Sequence, residues 1–404
     1  MTVDRIVIVG ASLAGFRAAE ELRGLGHDGT ITVVGDEPHR PYDRPPLSKQ
    51  VLAGTKPPES AALTTSMGTL DDLDLDWRLG TSAAALDVAA RVVLLGDGER
   101  LDYDGLVIAT GAAPRRLPGT DHLAGVHTLR TLDDCLSIRA GLERAPQRVA
   151  VVGAGFIGAE VAATCRGLGV EVSLIEALPV PLERALGPQM GAVMADLHRD
   201  HGVDVRLGVG VVRVDGSERA ERVHLTDGTE LDVDLVVVGI GVTPNTGWLE
   251  GSGLTVDDGV LCDATCLAAP GIVAAGDVAR WPNRLFDELM RVEHWDNAVA
   301  MGAHAARTLL ADPGAAEAFA PVPWFWSDQY DRKVQLAGRV GGDDLVEVVS
   351  GAVEDRRFVA LYGRGGRLVG VLGMNQPAQV MRWRALIEDR VTWDDALATV
   401  KEAG

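Results

Sequence analysis

Two segments of this sequence supply what a pyrophosphate needs from a polypeptide backbone. Val7-Ile8-Val9-Gly10-Ala11-Ser12-Leu13-Ala14-Gly15 leaves an apolar strand, passes through small residues and enters a helix. Ala150-Val151-Val152-Gly153-Ala154-Gly155-Phe156-Ile157-Gly158 does the same 143 residues later. In this second copy Gly153 permits the tight turn, Gly155 lets the backbone approach the phosphates, and Gly158 lets the new helix pack closely on its strand. The anion then meets unpaired N–H groups at the positive end of a helix dipole. In the first copy Ser12 stands where the second glycine would be, and a serine is small and can still donate to a phosphate. One such turn is a weak signal, but two suggest two dinucleotides on one chain, as where a nicotinamide passes hydride to a flavin.

The acids that follow these turns refine the reading. Val170 to Glu176 reads as the next strand of the second unit, and Glu176 lies 23 residues after Gly153, close to the spacing at which a carboxylate meets the ribose hydroxyls. Such a carboxylate repels a 2′-phosphate, so NADH is the expected coenzyme rather than NADPH. The first unit's strand, Thr30 to Gly35, ends in Asp36-Glu37, and one of these two acids is expected to be a solvated loop residue.

These turns need strands and helices around them. Leu106 to Gly111, Leu235 to Gly241 and Gly271 to Asp277 each read as a buried strand running to glycine, and residues 296–310 read as an alanine-rich helix. Beyond Pro321 the pattern changes. Alternating segments at 356–362 and 367–372 suggest an antiparallel sheet, closed by helices at 378–389 and 393–401. The chain of 404 residues, 47% hydrophobic, has material for two or three domains. A net charge of −20 argues against a nucleic-acid partner. No apolar run is long enough to span a bilayer, and a first strand near Arg5 leaves no room for a signal peptide, so a soluble cytoplasmic protein is expected. Cys135, Cys165, Cys262 and Cys266 contain no C-x-x-C pair and are expected to be reduced structural thiols. No metal site is expected.

Arg44-Pro45-Pro46-Leu47-Ser48-Lys49, Ala109-Thr110-Gly111, Gly153 to Glu160, Ala275-Gly276-Asp277 and Trp324-Phe325-Trp326-Ser327-Asp328-Gln329-Tyr330 together carry a resemblance across essentially the whole chain. The sequence resembles the putidaredoxin reductase and biphenyl-dioxygenase ferredoxin reductase family. The resemblance implies an α/β fold like that of glutathione reductase, with two Rossmann-like dinucleotide-binding domains and a C-terminal α+β domain. It implies an FAD domain at 1–113 and 248–321, an NAD domain at 114–247 and an interface domain at 322–404. It further implies an FAD enzyme that oxidises NADH and passes electrons singly to a small iron–sulfur ferredoxin serving an oxygenase, and a monomer or weak dimer. Lys49 is placed beside the flavin N5 edge, paired with Glu160. Gly10, Ser12, Leu13, Ala14, Gly15, Asp36, Glu37, Arg44, Ala83, Ala109, Thr110, Gly111, Arg130, Gly276, Asp277 and Trp295 are implied to hold FAD. Gly153, Gly155, Phe156, Ile157, Gly158, Glu160, Glu176, Arg184 and Gly241 are implied to hold NAD. The helix starting near Asp296 should aim its N-terminus at the flavin pyrimidine.

The stretch from Tyr42 to Lys49 contains no cysteine, whereas the disulfide reductases of this fold carry a cysteine pair there, so thiol chemistry is not expected and the flavin must serve a docked acceptor. Seven arginines between Arg356 and Arg390 face only Glu388 and Asp389 within that span. This local excess could steer an acidic ferredoxin or could be a solvated face. Trp324 and Trp326 are expected to wall the flavin or to lie on the electron route. Competing readings are a rubredoxin reductase, an NADH oxidase, or a non-catalytic FAD-binding redox signal.

Overall fold

A computed structural model describes residues 3–312 and 314–403. It divides into two compact units, one of Met1–Asp43, Ala62–Ala113 and Thr243–Pro323, the other of Arg44–Ala61, Pro114–Val242 and Trp324–Gly404.

The first unit is built on a six-stranded sheet in the order Leu267–Ala269, Ile272–Ala274, Gly105–Ile108, Arg5–Val9, Thr30–Gly35, Asp76–Leu79. All neighbours are parallel except the first hairpin. The inner strands are apolar nearly throughout because such a sheet is buried on both faces. Helices Leu13–Gly24 and Trp295–Leu310 pack on it and on each other. They approach so closely that a Cβ at Gly302 would lie 2.4 Å from the carbonyl oxygen of Ala14. Only Ile272–Ala274 of the expected strand at 271–277 is paired as a strand, with Ala275 still extended after it. Gly276 then turns with φ +75° and Asp277 sits in a single helical turn, Gly276–Val278.

The second unit repeats the pattern. Its parallel sheet runs Asp204–Leu207, Glu171–Glu176, Arg148–Val152, Leu235–Val238, Val126–Thr128, with helix Phe156–Gly167 following the glycine turn. A second sheet, fully antiparallel, is ordered Trp324–Gln329, Arg332–Gly338, Arg367–Met374, Arg357–Arg364, Leu345–Ala352. It was expected to alternate, yet Phe358–Gly363 is buried throughout. Both faces are covered. Leu186, Met190, Met194 and Leu197 of helix Glu183–Asp200 share a core with Phe325, Val334, Leu336, Phe358 and Tyr362. Val380, Trp383 and Ile387 of helix Pro377–Glu388 are buried as well, and a Cβ at Gly373 would lie 2.3 Å from Val380.

Candidate functional site

The two glycine turns have the same internal geometry. A Cβ at Gly10 would lie 2.0 Å from the oxygen of Ala109, and one at Gly153 would lie 2.3 Å from the oxygen of Gly239. Both glycines have positive φ. A Cβ at Gly15 would meet the Gly10 oxygen at 1.9 Å, and one at Gly158 the Gly153 oxygen at 2.0 Å. Strand, turn and helix are therefore in backbone contact, which only glycine allows. At Gly155 the nearest atom to an added Cβ is 3.9 Å away, so its glycine is not required by the protein's own packing, and Ser12 is tolerated at the matching place. Ser12 and Gly155 are the N-caps of their helices; neither receives a side-chain cap and neither helix has an acid in its first turn. Both helix ends remain ready for an anion. The residues present fit two pyrophosphates.

The ribose acids differ between the units. Glu176 ends its strand half-buried, Oε2 accepting from the Ala154 N–H at 2.8 Å and Oε1 from Leu178 N–H at 2.9 Å. Each oxygen keeps a second lone pair, enough for two ribose hydroxyls. In the first unit Asp36 is exposed, while Glu37 is half-buried and accepts from the Tyr42 hydroxyl.

Other first-unit residues gather at the carboxyl ends of the strands. Leu13, Ala14 and Gly15 open the first helix, buried. Ala109 is buried at a strand end, and Gly111 turns with φ +64°. Thr110 Oγ1 donates to the Asn245 carbonyl at 2.8 Å while Asn245 Nδ2 donates to the Thr110 carbonyl at 2.9 Å. Asn245 carried no signal in the sequence because the two residues are far apart along the chain. Trp295, first residue of its helix, donates from Nε1 to Asp43 at 2.8 Å. Ala83 begins strand Ala83–Asp87, and Asp277 is half-buried.

The second unit contains the polar cluster. Pro45–Ser48 is a single tight helical turn, as its prolines favour, and it delivers Ser48 and Lys49 to helix Phe156–Gly167. Lys49 Nζ lies 2.8 Å from Glu160 Oε2 and 3.2 Å from the Pro45 carbonyl. The side chains are 11% and 4% exposed, so this is a buried pair, not the surface contact that contributes little. Ser48 Oγ also donates to Glu160 Oε2, and Ser327 Oγ donates to Oε1 at 2.7 Å. The carboxylate is thus met by one cation and two hydroxyls. Ser48 and Ser327 were missed as site residues. Ser327 and Gln329 do fall two apart on one strand, which places them on one face. Arg44 donates to the Arg130 carbonyl, and the Arg130 N–H donates to Asp134 at 2.9 Å. Phe156 meets Phe325 edge-on at 4.3 Å, Ile157 is 46% exposed, and Arg184 and Gly241 are exposed.

Residues 4–302 match the pyridine nucleotide-disulphide oxidoreductase family and residues 324–402 match the reductase C-terminal family. The chain belongs to the pyridine nucleotide-disulphide oxidoreductase family. It is 41% identical to rhodocoxin reductase of Rhodococcus erythropolis over 95% of this chain and 89% of the relative. Putidaredoxin reductase of Pseudomonas putida is 37% identical, covering 96% and 92%. Among solved structures, the covalent putidaredoxin reductase–putidaredoxin complex matches with a TM-score of 0.91 and 35% identity over 99% of this chain and 98% of the other.

This oxidoreductase departs from its family's description in its thiols. Cys135, Cys165, Cys262 and Cys266 are all buried and unpaired. Burial pushes the thiol of Cys135 up to about 11 and those of Cys165 and Cys262 up to about 12, far from the thiolate a disulfide reductase needs.

The arginine-rich surface also needs correction. Arg356 is held by Asp200 at 2.8 Å and Arg364 by Asp344 at 2.6 Å. Those acids lie outside the span counted in the sequence, so the charge excess there is smaller than it reads. Arg382 is exposed, 6.0 Å from the Trp383 ring. Trp324 and Trp326 lie half-buried on one sheet face, ring centroids 5.6 Å apart.

Burial also sets one pH dependence. His198 is fully buried and its imidazole is pushed down to about 4 by burial and by the neighbouring His201. The unfolded chain binds that proton more readily, so between pH 6.5 and 4 stability falls as pH falls, by about 3 kcal/mol in all from this group. Denaturant melts across this range should show the slope, and His198→Gln should flatten it.

Proposed function

We infer that this protein is an FAD flavoprotein that oxidises NADH and passes the electrons one at a time to an iron–sulfur ferredoxin that supplies an oxygenase. The observation that carries the reading is the buried Lys49–Glu160 pair on a chain with two dinucleotide cradles, in a stretch with no cysteine. With no cysteine in that stretch and the four thiols elsewhere buried, the reading sends the electrons to a docked partner rather than to a thiol. Its relatives include the ferredoxin–NAD(+) reductase component of the anthranilate 1,2-dioxygenase system of Burkholderia cepacia, 38% identical over 96% of this chain and 95% of the relative. When bound, FAD supplies the step from two-electron to one-electron chemistry. We propose that the first glycine turn with Glu37, Ala83, Thr110, Gly111, Asp277 and Trp295, together with Arg44 and Arg130, holds FAD. Glu176, Arg184, Gly241 and the second turn hold NADH, and Lys49 with Glu160 faces the flavin. The functional division proposed is 1–113 with 248–321 for FAD, 114–247 for NADH and 322–404 for the partner. Among the described residues no helix is long and apolar enough to cross a membrane; four buried, unpaired thiols favour the reducing cytoplasm.

The test is reconstitution. Stopped-flow mixing with NADH should bleach the flavin rapidly, and an added [2Fe–2S] ferredoxin should then be reduced within turnover time. A long-lived charge-transfer band with slow acceptor reduction would instead mark a redox-signalling protein. If the exposed Arg382 steers an acidic ferredoxin, Arg382→Glu should lower the ferredoxin-dependent rate severalfold at low salt and flatten its salt dependence. Ferricyanide reduction serves as the control and should not change.

A further inference from the structure

The hydrogen bonds around Glu160 continue inward. Ser327 Oγ, which donates to Glu160 Oε1, also accepts from Gln329 Nε2 at 3.1 Å. A hydroxyl has one proton, so with Gln329 donating to its oxygen Ser327 must spend that proton on the carboxylate. Nε2 faces Ser327, which leaves Gln329 Oε1 pointing the other way, buried and without a bond of its own. His198 Nε2 is buried and unbonded too. On the other side of the ring, His198 Nδ1 lies 2.8 Å from the Tyr330 hydroxyl. His198, Gln329 and Ser327 are all fully buried. Tyr330 is half-buried and stacks on His201 at 3.7 Å.

We propose that Gln329 and Ser327 are positioning residues, two donors in series that hold the Glu160 carboxylate turned toward Lys49. Each member fixes the rotor of the next: the amide fixes the hydroxyl, and the hydroxyl fixes the carboxylate. Buried hydrogen bonds in series polarise one another, and a hydrogen bond to the charged form of a carboxyl favours that form. The charged and titratable groups facing the chain are Lys49 at Glu160, His201 beside His198 and Tyr330, and Arg166, which acts on Tyr330. Asp331 lies 4.0 Å from His201. The role rests on the reading of Lys49 and Glu160 as the pair that faces the flavin.

The experiment follows Glu160 itself. In FAD-loaded protein carrying ¹³C-labelled glutamate, the Glu160 carboxyl resonance, assigned by its loss in Glu160→Gln, is titrated alongside the pH profile of the flavin midpoint potential. Ser327→Ala should raise the carboxyl titration by about one to two pH units, the worth of one hydrogen bond to a charge. Gln329→Leu should raise it less, and Ser327→Thr should return it to the wild-type value. A titration unmoved in both Ser327→Ala and Gln329→Leu overturns the chain. A titration that moves while Glu160→Gln leaves the potential profile unchanged keeps the chain and removes the flavin-facing reading.

Discussion

Lys49→Met should give a folded, yellow protein whose flavin is bleached by NADH about 10²-fold more slowly, the usual loss when a preorganised charge is removed from where new charge develops. Lys49 is buried, 2.8 Å from Glu160, and its ammonium is the cation of that cluster. Methionine keeps the length and the apolar stem, so little volume is lost. FAD should stay bound because the first cradle is backbone, built from Gly10, Gly15 and the helix beginning at Leu13. Glu160 is left without its cation, which for a buried pair costs about 3–5 kcal/mol, although the hydroxyls of Ser48 and Ser327 remain. The double variant Lys49→Met with Glu160→Gln separates the two effects: it should recover stability but not the bleach rate. Stopped-flow absorbance at the flavin band and a thermal melt measure both quantities. A wild-type bleach rate in Lys49→Met, or a colourless protein, removes Lys49 from the role.

What the sequence disclosed follows from the range of the forces involved. The strands Arg5–Val9, Thr30–Gly35 and Leu235–Val238 were legible because strands buried on both faces are written as unbroken apolar runs. The glycine turns were legible because steric exclusion at Gly10, Gly15, Gly153 and Gly158 acts within a few residues' reach. The Lys49–Glu160 pairing came only from resemblance, since no local pattern joins residues more than a hundred positions apart. Ser48, Ser327 and Asn245 escaped for the same reason: a serine that donates to a buried carboxylate is written like any other serine. The arginine count misled because Asp200 and Asp344 reach in from outside the counted span. The pattern at 356–362 did not announce that Glu183–Asp200 would cover one face of the antiparallel sheet, because periodicity reports what a segment can bury and not what arrives to bury it.

Glu176 should set the choice of coenzyme. Its two oxygens are held by the N–H groups of Ala154 and Leu178 at 2.8 and 2.9 Å, which fixes the carboxylate at the mouth of the second glycine turn before any ligand arrives. A preorganised acceptor gains affinity because no side-chain freedom is lost on binding, and hydrogen bonds to a charged group are worth about 1.5–3 kcal/mol each. Glu176→Ala should therefore lower kcat/KM for NADH by at least tenfold, with most of the loss in KM because the ribose is remote from the reacting carbon. The same change removes a negative charge from where the 2′-phosphate of NADPH would sit, so kcat/KM for NADPH should rise, and the NADH/NADPH ratio should fall by about 10²-fold or more. Glu176→Gln distinguishes charge from geometry: it keeps an acceptor for one hydroxyl, should lose less NADH activity than alanine, and should still admit NADPH. Steady-state kinetics with both coenzymes, at fixed ferricyanide, measures all of this without a partner protein. Equal specificity constants in the wild type, or a ratio unmoved in both variants, would show that the ribose end is read elsewhere on the second unit, and the exposed Arg184 would be the next residue to vary.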